Sequence, residues 1–190
     1  MHGPHIVSSD ILSSMELIEP QSAYKDSFIA AVKEYKNEED TLTTRRYRNL
    51  SLQDLESNFD AFVEQERSHA LGRNLPENYV PQTELWLVDS GEYIGHVGIR
   101  HTLTDRLLQV GGHIGYGIRP SKRREGYGTK ILELALPKMR ELGIERILVT
   151  CDVTNTASRR IIEKNGGVLE NQVHNPETGV DKLRFWIDVR

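Results

Sequence analysis

The sequence predicts an α/β fold: a mixed, mostly antiparallel sheet of roughly six to seven strands, with one parallel pair and about four helices. Three observations predict it. Two largely apolar runs, Glu84 to Asp89 and Tyr93 to His101, bracket Ser90-Gly91 as a hairpin. A strand from Gly112 to Arg119, a helical stripe from Gly126 to Leu142 and an apolar run from Ile147 to Cys151 follow in strand–helix–strand order. That order makes the fourth and fifth strands parallel neighbours. Val168 to Val173 and Leu183 to Val189 then close the chain as an antiparallel pair.

The remaining elements follow in order. Met15 to Ile18 reads as a short first strand, ended by Pro20. Between Ser22 and Tyr35, the residues Tyr24, Phe28, Ala31, Val32 and Tyr35 recur at helical spacing. Lys36 to Asn49, with Arg45-Arg-Tyr-Arg48 inside it, is polar and reads as a loop, ordered or closing over a substrate. A helix is expected near Leu52 to Leu71, a turn-rich stretch from Asn74 to Pro81 and a longer connection from Thr102 to Val110. In the later helix Tyr127, Ile131, Leu134, Ala135, Leu136 and Met139 form the apolar stripe, and Gly143 is a suitable terminator. Pro137 within it removes a backbone donor at a cost of about 3 kcal/mol, so a bend is expected there. Asn155 to Asn165 is a short helix, stopped by Gly166-Gly167.

A chain of 190 residues suits one domain, taken as residues 15–190, behind a leader of residues 1–14 that is either a vector remnant or a disordered tail. Net charge of -4 argues against a general nucleic-acid binder, which needs clustered excess lysine and arginine. The single cysteine, Cys151, excludes an internal disulfide and a zinc knuckle, which points to a reducing, cytoplasmic setting and to no metal. It reads as a small filler of a buried strand rather than as a nucleophile. No apolar run reaches the roughly 20 residues of a membrane span. Trp86 and Trp186 are expected in the core.

Ile114 to Ile131 carries the strongest chemical signal: a strand, a basic turn with Gly126 and Gly128, and a helix start. Glycines there let the backbone come close to an anion, and the unpaired amides of the first helical turn share their location with the positive end of the helix dipole. Arg119, Lys122, Arg123 and Arg124 add positive charge. A pyrophosphate is the natural ligand. Neither common phosphate loop fits, because Thr129-Lys130 follows Gly128 where a Walker loop needs Lys-Ser/Thr, and Ile131 stands at a dinucleotide fingerprint's third glycine.

Arg123, Gly126 and Gly128 match the Arg/Gln-x-x-Gly-x-Gly/Ala signature of the GNAT superfamily of N-acetyltransferases, and the sequence resembles that family, in its bacterial type, most firmly over residues 83–190. Asn155 to Gly167 resembles a second family element. The resemblance implies a splayed pair of strands four and five, with the pantetheine arm of acetyl-CoA lying between them on the backbone of Tyr116, Gly117 and Ile118. It also implies a pyrophosphate on the turn formed by Arg123, Arg124, Glu125, Gly126, Tyr127, Gly128 and Thr129. Asn155 would cap its helix and touch the cofactor. Expected partners are acetyl-CoA and a primary amine on a small molecule or peptide, with neither nucleic acid nor membrane, and a homodimer is allowed.

Amine attack on a thioester needs a neutral amine, an oxyanion donor and a leaving thiolate. An ammonium of pKa near 10.4 must lose a proton, so a base is required. Two positions of the family this sequence resembles are unfilled: Ile162 stands where many relatives carry a tyrosine that serves as general acid, and Gly112 where many carry a carboxylate base. Candidates for the base are His113, His101 and Glu84; the bland alternatives are sheet histidines and a solvated strand-end carboxylate. Arg45, Arg46 and Arg48 would grip an acidic acceptor or a cofactor phosphate, or simply form a solvated face. The leading reading is an acetyl-CoA-dependent N-acetyltransferase. A non-catalytic coenzyme A-binding or sensing module is the alternative.

Overall fold

The computed structural model describes residues 15–38, 42–75 and 77–189. The leader, and the expectations about it, lie outside the described residues. In chain order the elements are β1 (Glu16–Ile18), α1 (Lys25–Lys36), α2 (Leu42–Arg48), α3 (Leu52–Ser57), α4 (Phe59–Ser68), β2 (Gln82–Asp89), β3 (Glu92–Arg100), β4 (Ile114–Ile118), α5 (Tyr127–Glu141), β5 (Arg146–Asp152), α6 (Thr156–Lys164), β6 (Val168–His174) and β7 (Asp181–Asp188).

Strands β1-β2-β3-β4 form one antiparallel sheet and β5-β7-β6 another. The expected splayed pair, β4 and β5, parts so far that the two share no ladder among the described residues. They are joined at one end only. The His113 amide donates to the Leu148 carbonyl (2.8 Å), and the Leu148 amide donates to His113 Nδ1 (2.9 Å). Gly112 makes this approach possible: at φ 71°, a Cβ there would lie 2.6 Å from the Leu148 carbonyl oxygen.

Strand alternation assigns each face of the first sheet its own core. Leu85, Leu87, Val97, Ile99 and Ile114 face α5 and pack with Ile131, Leu132, Ala135 and Met139. Trp86, Val88 and Tyr93 face the other way into an aromatic layer under α1 to α4. There Phe28 stacks on Trp86 (centroids 4.8 Å apart) and Tyr35 on Tyr47 (4.2 Å), contacts worth about 0.5–1.5 kcal/mol each beyond burial.

Three expectations need correction. The polar loop at 36–49 contains helix α2, because its inward face is built from groups that look hydrophilic: Thr44 and Tyr47 are buried. The long helix at 52–71 divides at Asn58, whose φ of -134° leaves the helical range, and Ser51 caps the first piece by accepting from the Asp54 amide. Those changes give six α-helices among the described residues instead of about four. Trp186 lies part-exposed with the Arg146 guanidinium 4.5 Å above its ring, whereas Trp86 is in the core as expected. Helix α5 continues through Pro137.

Candidate active site

The glycine turn enters α5 through two left-handed residues, Arg124 (φ 68°) and Gly126 (φ 91°). Among the described residues the amides of Arg124, Glu125, Gly126, Tyr127 and Gly128 make no backbone hydrogen bond. Thr129 does not extend this run, since its amide turns back to the Gly126 carbonyl (3.0 Å). A Cβ on Gly126 would meet nothing within 4 Å, so the turn is an open cradle of donors. Its cations are less free than the sequence implies. Arg119 is held by Glu34, Lys122 by Glu92, and Arg123 by a bidentate pair with Glu38 (2.6 and 2.8 Å) and by the Ile118 carbonyl. Tyr127 fastens the turn to the β2–β3 hairpin by donating to Asp89 (2.8 Å).

Beyond the His113–Leu148 link, β4 offers its free edge, carrying Tyr116, Gly117 and Ile118, to a crevice bounded by β5 and α6. The Tyr116 hydroxyl lies 3.0 Å from Ser158 Oγ on the first turn of α6. Asn155 caps that helix by accepting from the Ser158 amide (2.9 Å). Burial pushes the Tyr116 phenol up to about 12 and the Cys151 thiol to about 11, which keeps Cys151 an unreactive filler. Ile162 is wholly buried in the core.

The base candidates occupy different surroundings. His113 spends its Nδ1 lone pair on Leu148, so the neutral ring carries its proton on Nε2 and has no free lone pair to offer. His101 is bonded through Nε2 to Thr83 (2.8 Å), and the two rings engage different strands instead of each other. Glu84 corrects the expectation of a solvated strand-end group. It is buried at 3% exposure, with Arg46 donating to Oε2 (2.9 Å), while Oε1 has no partner among the described residues. Burial, opposed by Arg46 and reinforced by the Glu66 charge, pushes its carboxyl up to about 8. Arg46 also pairs with Glu66, and Arg48 binds the Lys36 and Glu38 carbonyls, so neither is a solvated face. Arg45's side chain lies outside what the structure describes.

Register places Glu84 of β2 opposite Gly98 of β3, and Gly98 opposite Gly115 of β4. All three share one face. Gly98 and Gly115 put no side chain of their own between the carboxylate and the free β4 edge, about 10 Å away at normal strand spacing, and the Gln82 side chain reaches over Gly98. Several participants escaped the sequence reading: Ser158 and the Tyr116 hydroxyl, Arg46 as the clamp on Glu84, and His96. The His96 ring meets the Tyr47 hydroxyl, which lies 2.7 Å from that of Tyr93. The alternation Gly98-Ile99-Arg100 was a usable signal for the glycine pair; the α2 contacts were not, because they depend on tertiary placement.

The model of the acetyltransferase (GNAT) domain matches residues 25–168. The chain belongs to the GNAT acetyltransferase family. No curated protein matches the sequence. Among solved structures, a Salmonella typhimurium acetyltransferase that modifies the N-terminal serine of ribosomal protein L7/L12 is 16% identical, with 93% of this chain and 95% of that one covered at a TM-score of 0.66. The microcin C7 self-immunity acetyltransferase MccE, in complex with acetyl-CoA and AMP, is 15% identical over 91% of each chain, also at 0.66. A GNAT acetyltransferase from Streptococcus pneumoniae is 19% identical over 93% and 100%, at 0.61. At these identities the likeness is one of fold.

A GNAT acetyltransferase takes its acetyl group from acetyl-CoA, and the residues here suit that donor: an open amide cradle for the pyrophosphate and an unpaired strand edge for the amide-bearing arm. Among the described residues no group of acidic, histidine and cysteine side chains could hold a metal, and no helix is long and apolar enough to cross a membrane.

Proposed function

We propose that this GNAT domain transfers acetyl from acetyl-CoA directly to a primary amine, with Glu84 as the base. The observation that carries the reading is the buried carboxylate with an unpartnered oxygen, one glycine pair away from the β4 edge. The raised pKa poises Glu84 near neutrality, where a base is most effective.

The amine, taken up in its neutral form, attacks the thioester carbon, and the proton that its nitrogen sheds as the amide forms passes to Glu84 directly or through one water. The C–N bond forms, the C–S bond breaks and the thiolate leaves. The backbone amide near Ile118 and the free edge of β4 supply a donor for the oxyanion. Tyr116 and Ser158, paired across the crevice, place two hydroxyls beside β5 where the departing sulfur can accept a hydrogen bond, the role Ile162 cannot fill. Because a thiol of pKa about 8.5 leaves readily, hydrogen bonding suffices there without full proton transfer. Asn155 and the amides of Arg124 to Gly128 hold the donor.

The test is release of coenzyme A thiol from acetyl-CoA against a panel of primary amines. Amine-dependent release in the wild type, lost in Glu84→Gln, is expected. Binding of acetyl-CoA with no amine-dependent release by any panel member would favour the non-catalytic module.

A further inference from the structure

Glu66 occupies a position on α4 suited to an apolar side chain. Phe59, Val63 and Glu66 follow one another at i, i+4 and i+7 on one face of the helix, and all three are buried. A carboxylate held there requires a cation, which Arg46 of α2 supplies. The same guanidinium also holds Glu84: Nη2 meets Glu66 Oε2, and Nη1 donates to Glu84 Oε2 (2.9 Å). One cation is thus shared between two buried carboxylates from different elements.

With all three groups ionised, the cluster carries one negative charge in excess, in surroundings that disfavour it. No neighbour offsets that charge by contact. Arg100 of β3 shares the face of Glu84, but its guanidinium donates to the Gly112 carbonyl (2.8 Å) and pairs with neither carboxylate among the described residues. His96, diagonal to Glu84 across the β2–β3 ladder, is kept neutral by burial and by the Arg46 charge. Tyr47 of α2 and Tyr93 of β3 keep their protons, because burial pushes both phenols well up. His69, on the turn after α4, bonds to neither carboxylate among the described residues.

A proton is the remaining means of balance, and the two carboxylates do not compete for it equally. The Glu66 side chain keeps 10% exposure and that of Glu84 1%, so ionisation costs more at Glu84. Oε1 of Glu84 has no partner among the described residues, and it can take a proton without losing a contact. The upward direction of the Glu84 pKa, with the Glu66 charge among its causes, agrees.

We propose that Glu66 is the positioning residue for the base: it takes up the charge of Arg46 and so leaves the proton of the cluster on Glu84 Oε1. This rests on the reading of Glu84 as the base in acetyl transfer. Without the Glu66 charge, Arg46 would neutralise Glu84 alone, and Glu84 would be a weaker acceptor for the proton that the amine nitrogen sheds. A residue on α4 thereby sets the strength of a base on β2 without touching the substrate.

The experiment titrates Glu84 in the full chain by carboxyl-carbon NMR of isotope-labelled glutamate, its signal assigned by its loss in Glu84→Gln. Glu66→Gln, which keeps an oxygen for Arg46, should lower the Glu84 midpoint by about one pH unit or more, a tenfold change in its acid constant. Glu66→Asp, which keeps the charge, should restore most of that difference. Glu66→Met, suited to the apolar face of α4, gives the same reading if the glutamine variant does not fold. The pH limb of kcat should move with the NMR midpoint, a response that loss of packing alone does not produce. A Glu84 midpoint unmoved in Glu66→Gln and Glu66→Met, or already in the ordinary carboxylate range in the wild type, would overturn the proposal. A midpoint that moves while the kcat limb stays, or while no amine is turned over, would uphold the shared proton and overturn Glu84 as the base.

Discussion

His113 and Leu148 hold each other by two hydrogen bonds, one from each amide, and the second ends on the His113 ring instead of on a carbonyl. The imidazole thus does the work of a strand partner at the point where the two sheets meet. Truncation to alanine strands the Leu148 amide, and a buried donor left unsatisfied costs about 1–3 kcal/mol. His113→Ala should lose stability of that order in denaturant titrations, and His113→Asn, whose Oδ1 can accept in place of Nδ1, should recover much of it. Burial and then the Arg100 charge lower the ring's pKa in the folded protein. The unfolded ring titrates near 6.5, so the neutral form's contribution is full above that pH and fades as pH falls toward the folded value. Melting temperatures below pH 6.5 should therefore fall less steeply in His113→Asn than in the wild type. A catalytic limb that disappears in the asparagine variant would restore His113 as the base.

Gly126 combines a φ of 91° with empty space around its missing Cβ. Gly126→Glu therefore imposes backbone strain of about 1–2 kcal/mol but no collision. Its carboxylate would project into the amide cradle and repel the pyrophosphate. The expected result is a folded protein whose acetyl-CoA affinity is at least about 100-fold weaker, more than 2.7 kcal/mol at about 1.4 kcal/mol per tenfold. Retention of wild-type affinity in calorimetry would remove the turn from the binding site.

Much of this was legible because the signals were local. A glycine turn between a strand and a helix, or Asn155 three residues before the amide it caps, is written within a few positions of sequence. The aromatic layer was half legible: Phe28, Val32 and Tyr35 declare a helical face, but Tyr47 sits among arginines and threonines and gives no apolar period. Glu84 was placed on the correct strand and in the wrong environment, since only the docking of α2 brings Arg46 across to bury it. The splay of β4 from β5 was implied by the family resemblance, but how the two are joined was not legible for a related reason. Strand order fixes which strands are neighbours, whereas the His113 clamp and the absence of a ladder beyond it depend on three-dimensional register.

Glu84 carries a pH signature in two observables. As the base it acts unprotonated, so kcat should rise with pH and level off near its pKa of about 8. Glu84→Gln should lower kcat by about 10²- to 10⁴-fold, as for loss of a general base, with acetyl-CoA affinity intact. Folding raises this carboxyl above the roughly 4.3 of an unfolded glutamate, so the folded state prefers the protonated form. That contribution is complete below the unfolded value and declines as pH climbs through the folded one. Glu84→Gln should accordingly gain in melting temperature relative to wild type between pH 5 and pH 8. A flat difference across that window would mean that Arg46 holds the carboxyl near its ordinary value.

Gly98 and Gly115 offer a paired test of the amine's approach, because a methyl group would be received differently at each. At Gly98 it would meet Gln82 Nε2 at 2.9 Å and Glu84 Oε2 at 3.3 Å, so Gly98→Ala must displace the base or its neighbour. At Gly115 the nearest atom is Arg100 Nη2 at 3.8 Å, an ordinary contact, so Gly115→Ala should change stability by no more than about 0.5 kcal/mol. Both methyls would stand between Glu84 and the free β4 edge, the direction from which the acetyl-transfer reading brings the amine. Acceptor KM should rise about 10-fold or more in Gly115→Ala, since an overfilled site is poorly relieved by a rigid sheet. Gly98→Ala should add a fall in kcat, because it also disturbs Glu84. Stopped-flow or steady-state kinetics separate these outcomes. Unchanged acceptor KM in Gly115→Ala would show that the amine approaches from another direction.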